Sequence, residues 1–298
     1  MHKIAIGSWA FAFGSFAKDP WELNRVLQWT KEAGYDGIEL NGFRPHPHQD
    51  DLTTQTQCDE LMREVSSYHL EVTGYAPDLT LVPPAIVETE MYLEQFRKCL
   101  RVCERCHIPS FRIDTVSPPD LLVDVVYEER FNRLVRTWRK AAEEAEKAGI
   151  NIVWEFEPGF WLNKPSEVKR LVEAIGHSRF QLLFDSSHAY LGAVAGARHT
   201  GAKEALPGGL VEYVNMVAPY IGHIHLIDSD GTLHDEETSA HVHFGQGNID
   251  FVELLKTLQS ATKLLPWIGI DYCFNSNVID DGKEAVPIVR SYLKEVYP

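Results

Sequence analysis

The chain alternates between short apolar runs and longer stretches in which apolar residues recur every three or four positions. Eight runs have the length and the β-branched or aromatic content of buried strands: residues 3–8, 37–40, 70–75, 110–114, 150–156, 180–185, 221–226 and 267–272. Segments with a helical period separate most of them. The first helix is expected to open at Asp19, with Pro20 in its first turn and Glu22 completing a capping box, and to stop at Ala33-Gly34. Others are predicted from about 87 to 107, from about 129 to Ala148-Gly149, from Pro165-Ser166-Glu167 onward, and from about 283 to 295. Strands that alternate with helices imply a parallel sheet covered on both faces, and eight such units close a (β/α)8 TIM barrel. An open doubly wound sheet would need a glycine-rich phosphate turn after the first strand, and Gly7-Ser8-Trp9-Ala10-Phe11 is not one. No linker or break in composition divides residues 1–298, so one domain is expected.

Charge and cysteine content narrow the function classes. A net charge of −15 repels phosphate backbones and argues against a nucleic-acid partner. No apolar run reaches the roughly 18 residues of a membrane span, and the first residues lack the basic start and apolar core of a secretory signal. A cytoplasmic protein with no membrane partner is therefore expected. Five cysteines make an odd count, which does not fit a complete disulfide framework. Cys99, Cys103 and Cys106 share one helix face and read as core packing rather than as a metal or redox site.

In a barrel of this kind, catalytic groups sit at the C-terminal ends of the strands. Here the fifth run ends Trp154-Glu155-Phe156-Glu157 and the sixth ends Asp185-Ser186-Ser187-His188. The seventh carries His223-Ile224-His225 and the eighth ends Ile270-Asp271. Taken singly, each has a structural reading: Asp185 as a turn cap, His188 as a helix-start residue, one of the two strand histidines as core. Taken together, four groups in strand order at one end can converge on a single point. Three carboxylates and one imidazole would suit one divalent cation, Mn²⁺ first, with Mg²⁺ or Co²⁺ as alternatives. Trp9, Phe11 and Phe13 after the first strand, and Phe160 and Trp161 after the fifth, either stack on a sugar or pack the core. The polar stretch from Asp228 to Gly245, with His234, Asp235, Glu236 and Glu237, reads as a solvated loop rather than a lid.

Five segments carry a family resemblance: Ala33-Gly34-Tyr35-Asp36-Gly37-Ile38-Glu39-Leu40, Trp154-Glu155-Phe156-Glu157-Pro158-Gly159, Phe184-Asp185-Ser186-Ser187-His188-Ala189, Gly222-His223-Ile224-His225-Leu226-Ile227-Asp228, and Phe244-Gly245-Gln246-Gly247-Asn248-Ile249-Asp250-Phe251. In this order they resemble the xylose isomerase-like barrel superfamily, in its sugar isomerase and epimerase branch. Gly42-Phe43-Arg44-Pro45-His46 also resembles the loop after the second strand of ketosamine-type 3-epimerases. The resemblance implies that Glu155, Asp185, His225 and Asp271 are the metal ligands, that His188 contacts a substrate oxygen, and that His241 lies near the substrate. Trp9, Glu157 and His46 are further expected substrate contacts. One departure stands out: two-base ketose 3-epimerases have glutamate where this chain has Asp271, so the reach of that base is one methylene shorter.

The expected activity is a metal-dependent epimerisation or isomerisation of a ketose or keto-sugar derivative through an enediolate, with Glu155 as base, Asp271 as second base and His188 as donor. The alternative is a lyase or dehydratase that eliminates from an oxo-sugar or oxidised glycoside. An abasic-site endonuclease is disfavoured by the acidity and by Arg112-Ile113-Asp114, which ends the fourth strand without a histidine. A non-catalytic sugar-binding barrel is disfavoured by the intact ligand set. The expected partner is a small sugar, and the expected assembly a homo-oligomer, with a hetero-oligomer as the alternative.

Overall fold

The strand runs do close on themselves. In the computed structural model, which describes residues 2–196, 201–235, 238–262 and 265–297, eight parallel strands form a barrel in chain order. They are β1 (Lys3–Gly7), β2 (Gly37–Gly42), β3 (Glu71–Pro77), β4 (Ser110–Ile113), β5 (Asn151–Glu155), β6 (Phe180–Asp185), β7 (Ile221–Leu226) and β8 (Trp267–Ile270). β1 pairs with β2 on one side, Ala5 opposite Gly37, and with β8 on the other, Ile4 opposite Ile268. The helices between them are α1 (Leu23–Glu32), α2 (Gln55–Ser67), α3 (Thr89–Cys106), α4 (Tyr127–Ala148) and α5 (Pro165–Ile175), then α6 (Ser186–Tyr190), α7 (Gly209–Val217), α8 (Phe251–Thr262) and α9 (Val278–Val296). No helix among the described residues is long and apolar enough to cross a membrane.

Each strand sorts its residues by parity, because successive side chains point to opposite faces. Ile38 and Leu40, Trp154, Ile224 and Leu226, and Ile268 and Ile270 belong to the buried core shared with the helices. Trp138 of α4 lies 5.6 Å from Trp154 and 5.4 Å from Phe180, ring centre to ring centre. The other parity faces inward and carries many small or polar residues, among them Ala5, Arg112, Glu155 and Asp185, beside the apolar Val153 and Leu183. Glu39 on β2 touches His223 and His225 on β7. Those two strands are not neighbours, so the contact passes through the barrel's interior.

Two expected boundaries are corrected by tertiary packing. α1 begins at Leu23 with no side-chain cap, not at the Asp19 capping box. Trp21 donates its backbone N–H to Phe11 O at 3.0 Å and stacks its indole on the Phe11 ring at 5.0 Å, which keeps the chain out of the helix until Leu23. α9 opens at Val278, upstream of Lys283. Gly282 lies inside this helix, where a Cβ would come within 2.6 Å of the Trp29 ring. α2 has a capping box of its own, in which Thr54 and Gln57 satisfy each other's backbone N–H groups. Cys99, Cys103 and Cys106 are buried along α3, in keeping with a packing role.

The stretch after β7 is not merely a solvated loop. Asp228 is buried and accepts four backbone N–H groups: Ser229 at 2.9 Å, Gly245 at 2.9 Å, Gly247 at 3.0 Å and Ile249 at 3.2 Å. That carboxylate clips both ends of the segment together, and antiparallel bridges at Asp228–Val242 and Leu233–Ser239 fold it back on itself. Thr238, Ser239 and His241 are buried as a result, while Glu236 and Glu237 lie outside the described residues. Hydrogen bonds to a buried carboxylate contribute about 1.5–3 kcal/mol each. Asp228→Ala is therefore expected to lower the unfolding free energy by at least about 2 kcal/mol and to open residues 229–244 to protease. Urea unfolding and mapped limited proteolysis measure both.

Candidate metal centre

Four consecutive strands each deliver one inward side chain to the same end of the barrel. Glu155 ends β5, Asp185 ends β6, His225 lies on β7 and Asp271 follows β8 directly. Their donor atoms all lie within 4.8 Å of one another, and all four side chains are buried. His225 Nδ1 is 3.1 Å from Glu155 Oε1 and 3.8 Å from Asp271 Oδ2. Asp185 serves two ends at once. Its Oδ1 caps α6 by accepting Ser187 N at 2.8 Å and His188 N at 2.9 Å. Its Oδ2 is buried with no hydrogen-bond partner, and a buried carboxylate oxygen is costly to leave unpaired. Asp271 Oδ1 accepts the Trp9 indole N–H at 2.8 Å and Cys273 N at 2.7 Å, which leaves Oδ2 facing His225.

A further set of groups holds this cluster in place. Glu39 lies 3.1 Å and 3.2 Å from His225 Nε2 through its two oxygens and 2.5 Å from His223 Nε2. It thereby orients the ring with Nδ1 toward the carboxylates, the arrangement by which an outer carboxylate fixes a metal-binding histidine. The space for this contact comes from Gly269, where a Cβ would meet His225 Cδ2 at 2.5 Å and Glu39 Oε1 at 2.8 Å. Burial opposes charge on His225, but Glu39 and Glu155 outweigh it and hold its pKa well above the usual histidine range. Against its own burial, Glu155 is held down to about 2 by Arg112 and His225. The Arg112 guanidinium donates to Glu155 Oε2 at 2.5 Å and lies 5.1 Å from the centre of the Trp9 ring. This field of carboxylates around one imidazole and one orphaned oxygen fits a hard divalent cation.

Above the cluster opens a cavity of about 290 Å³. Trp9, Glu155, Glu157, His188, His241 and Asp271 all line it. His188 Nδ1 is fixed by Ser239 Oγ at 2.7 Å. Glu157 accepts the Thr238 hydroxyl at 3.1 Å, and burial together with nearby Glu155 pushes its pKa up to about 8. His241 Nδ1 lies 3.6 Å from Asp271 Oδ1, and neither ring nitrogen has a hydrogen-bond partner. Burial lowers its pKa and Asp271 more than reverses that, to about 9.

The other expected contacts divide. His46 is corrected to a structural role: its ring bonds Ser8 Oγ at 3.1 Å and Trp21 O at 2.9 Å, so both nitrogens are engaged by protein, and it does not line the cavity. Phe13 and Phe160 line the cavity, whereas Phe11 and Trp161 are fully buried in the core. Glu39, Arg112, Thr238 and Ser239 are site residues that the motifs did not single out. Glu39 and Arg112 did leave a signal, each being a charged residue between two apolar ones inside a strand. Thr238 and Ser239 left none, because their position depends on the fold-back set by Asp228.

Comparison with known proteins identifies the family. A family model described as xylose isomerase-like TIM barrel matches residues 27–287. An uncharacterised protein of Methanocaldococcus jannaschii is 28% identical over 297 residues, covering 96% of this chain and 90% of the relative. Among solved structures, a D-tagatose 3-epimerase-like protein superposes with a TM-score of 0.74 at 21% identity, covering 99% of this chain and 98% of its own. A 3-keto-D-glucoside 4-epimerase from E. coli does so with a TM-score of 0.71 at 14% identity, covering 98% and 100%. Given the closed eight-stranded barrel and a family match across most of its length, the chain belongs to the xylose isomerase-like TIM barrel family.

Proposed function

We propose that the chain is a divalent-metal-dependent epimerase or isomerase acting on a ketose or keto-sugar derivative. The observation that carries this reading is the convergence of Glu155, Asp185, His225 and Asp271 at the floor of a cavity also lined by Glu157, His188 and His241. The orphaned Asp185 oxygen and the mixed carboxylate–imidazole donor set support a bound cation there, Mn²⁺ first and Mg²⁺ or Co²⁺ as alternatives. Such an ion supplies Lewis-acid stabilisation of negative charge on a substrate carbonyl oxygen.

The protein's own groups handle the proton and the hydroxyls. Glu155 removes the proton from the carbon beside the carbonyl. Asp271 enters from β8 rather than β5, and is the second carboxylate through which a proton is returned. His188, fixed by Ser239, donates to a substrate oxygen, and His241 Nε2, which has no hydrogen-bond partner in the protein, donates to a neighbouring hydroxyl oxygen. One observation favours elimination as a second reading: Asp271 Oδ1 is already tied to Trp9 and to the Cys273 amide, which restricts its freedom as a base. Elimination needs one base and one acid rather than bases on two faces.

Manganese-loaded protein incubated with a panel of ketoses and 3-keto-glucosides in deuterated water tests the reading. Deuterium is expected beside the carbonyl without cleavage of the substrate; cleavage instead selects elimination, and no exchange with any substrate rejects both. Glu155→Gln is expected to cut the exchange rate by about 10²–10⁴-fold. Glu39→Gln is expected to leave the fold intact by circular dichroism while weakening manganese binding by about 10–100-fold in a titration. Chelation of the ion should abolish exchange, and readdition of manganese should restore it.

A further inference from the structure

The polar groups of the cavity converge on its floor, and its mouth is of the opposite character. Phe13 follows β1, Phe43 follows β2, Phe160 follows β5 and Phe274 follows β8, and all four rings line the same cavity while remaining half-buried. Phe13 packs edge-on against Phe43 at 5.3 Å and lies 6.1 Å from Phe274. Phe274 is stacked by His234 of the folded-back segment at 4.7 Å and 16°. Four loops thus bring apolar rings to one rim, where the hydroxyls of a bare ketose would lose water without gaining partners.

Backbone conformation points the same way. Val116 and Phe274 have φ of +57° and +63°, in the left-handed region that favours glycine. For a β-branched or bulky residue this is a genuine outlier, and both side chains line this cavity. Strain of this kind gathers at ligand clamps, where the surrounding structure holds it in place. The charge of the lining excludes one class of substituent. Glu155, Glu157, Asp114 and Asp271 are all part of it. Among the described lining residues Arg112 has the permanent positive charge, and it is engaged by Glu155. A phosphoryl group would meet repulsion.

We infer that the mouth formed by Phe13, Phe43, Val116, Phe160 and Phe274 is a clamp for a flat apolar substituent, so that the substrate is an uncharged keto-sugar bearing an aromatic group, as in an aryl glycoside, rather than a free ketose or a sugar phosphate. The inference rests on the cavity floor being the sugar site proposed above. Its test needs no turnover. Equilibrium binding to the manganese-loaded protein is measured by calorimetry for phenyl β-D-glucopyranoside, methyl β-D-glucopyranoside and glucose 6-phosphate. The phenyl glycoside is expected to bind at least about tenfold more tightly than the methyl glycoside, and the phosphate more weakly than either.

Phe274→Gly removes the ring and also relieves the positive φ, so it is expected to keep or raise the melting temperature while bringing the phenyl-to-methyl affinity ratio to within about threefold of unity. A ring serving only the protein's own packing would instead lower the melting temperature and leave that ratio unchanged. Equal or undetectable affinities for the two glycosides, or preference for the phosphate, overturn the inference. The two proposals fail separately. Deuterium exchange that is equally efficient on free ketoses and aryl keto-glycosides removes the clamp and leaves the chemistry. A strong phenyl preference without exchange on any substrate removes the chemistry and leaves the clamp.

Discussion

Glu39, Glu155, Asp185 and Asp271 bury four carboxylates within one end of a barrel, where like charges repel strongly and water is scarce. Their mutual repulsion is the constraint that the surrounding structure answers. Arg112 lies against Glu155, the His225 ring bridges Glu155 and Glu39, His223 takes the other side of Glu39, and His241 approaches Asp271. Even the small residues follow from it, since Gly269 is what lets the His225 ring and the Glu39 carboxylate meet inside the barrel. A polar interior of this kind cannot supply the hydrophobic core. The apolar parity of each strand is accordingly turned outward, and the ring of helices closes the core from that side.

That division explains which parts of the molecule were legible from the chain. Strand number, strand order and the closed barrel follow from local periodicity, because an eight-fold βα rhythm leaves few other ways to cover both faces of the sheet. Glu155, Asp185, His225 and Asp271 were legible because each stands at or beside a strand end, and strand ends on one side of a barrel are forced together. The start of α1 was not, because a contact between Trp21 and Phe11 overrides an adequate capping box at Asp19. His46 misled for a related reason: a polar residue in a loop near the mouth can be consumed entirely by the protein, as its bonds to Ser8 and Trp21 do.

The least legible part is the segment after β7. Thr238 and Ser239 are 81 and 51 residues from the Glu157 and His188 side chains they bond, and nothing in their own neighbourhood marks them. Their placement depends on one aspartate gathering four amides, a long-range geometry with a short-range residue at its centre.

The same clip separates two kinds of evolutionary freedom. The clustered side chains of Glu155, Asp185, His225 and Asp271 are rooted in strands that the whole barrel depends on, so they can change only at the expense of the scaffold. Thr238, Ser239 and His241, by contrast, travel together on one segment whose base is tied off at Asp228. A lineage could rewrite that cassette, altering the shape and polarity of the cavity wall, while the scaffold and its charge pattern persist. A barrel built this way can vary the wall of its cavity without disturbing the carboxylate–imidazole cluster at the floor.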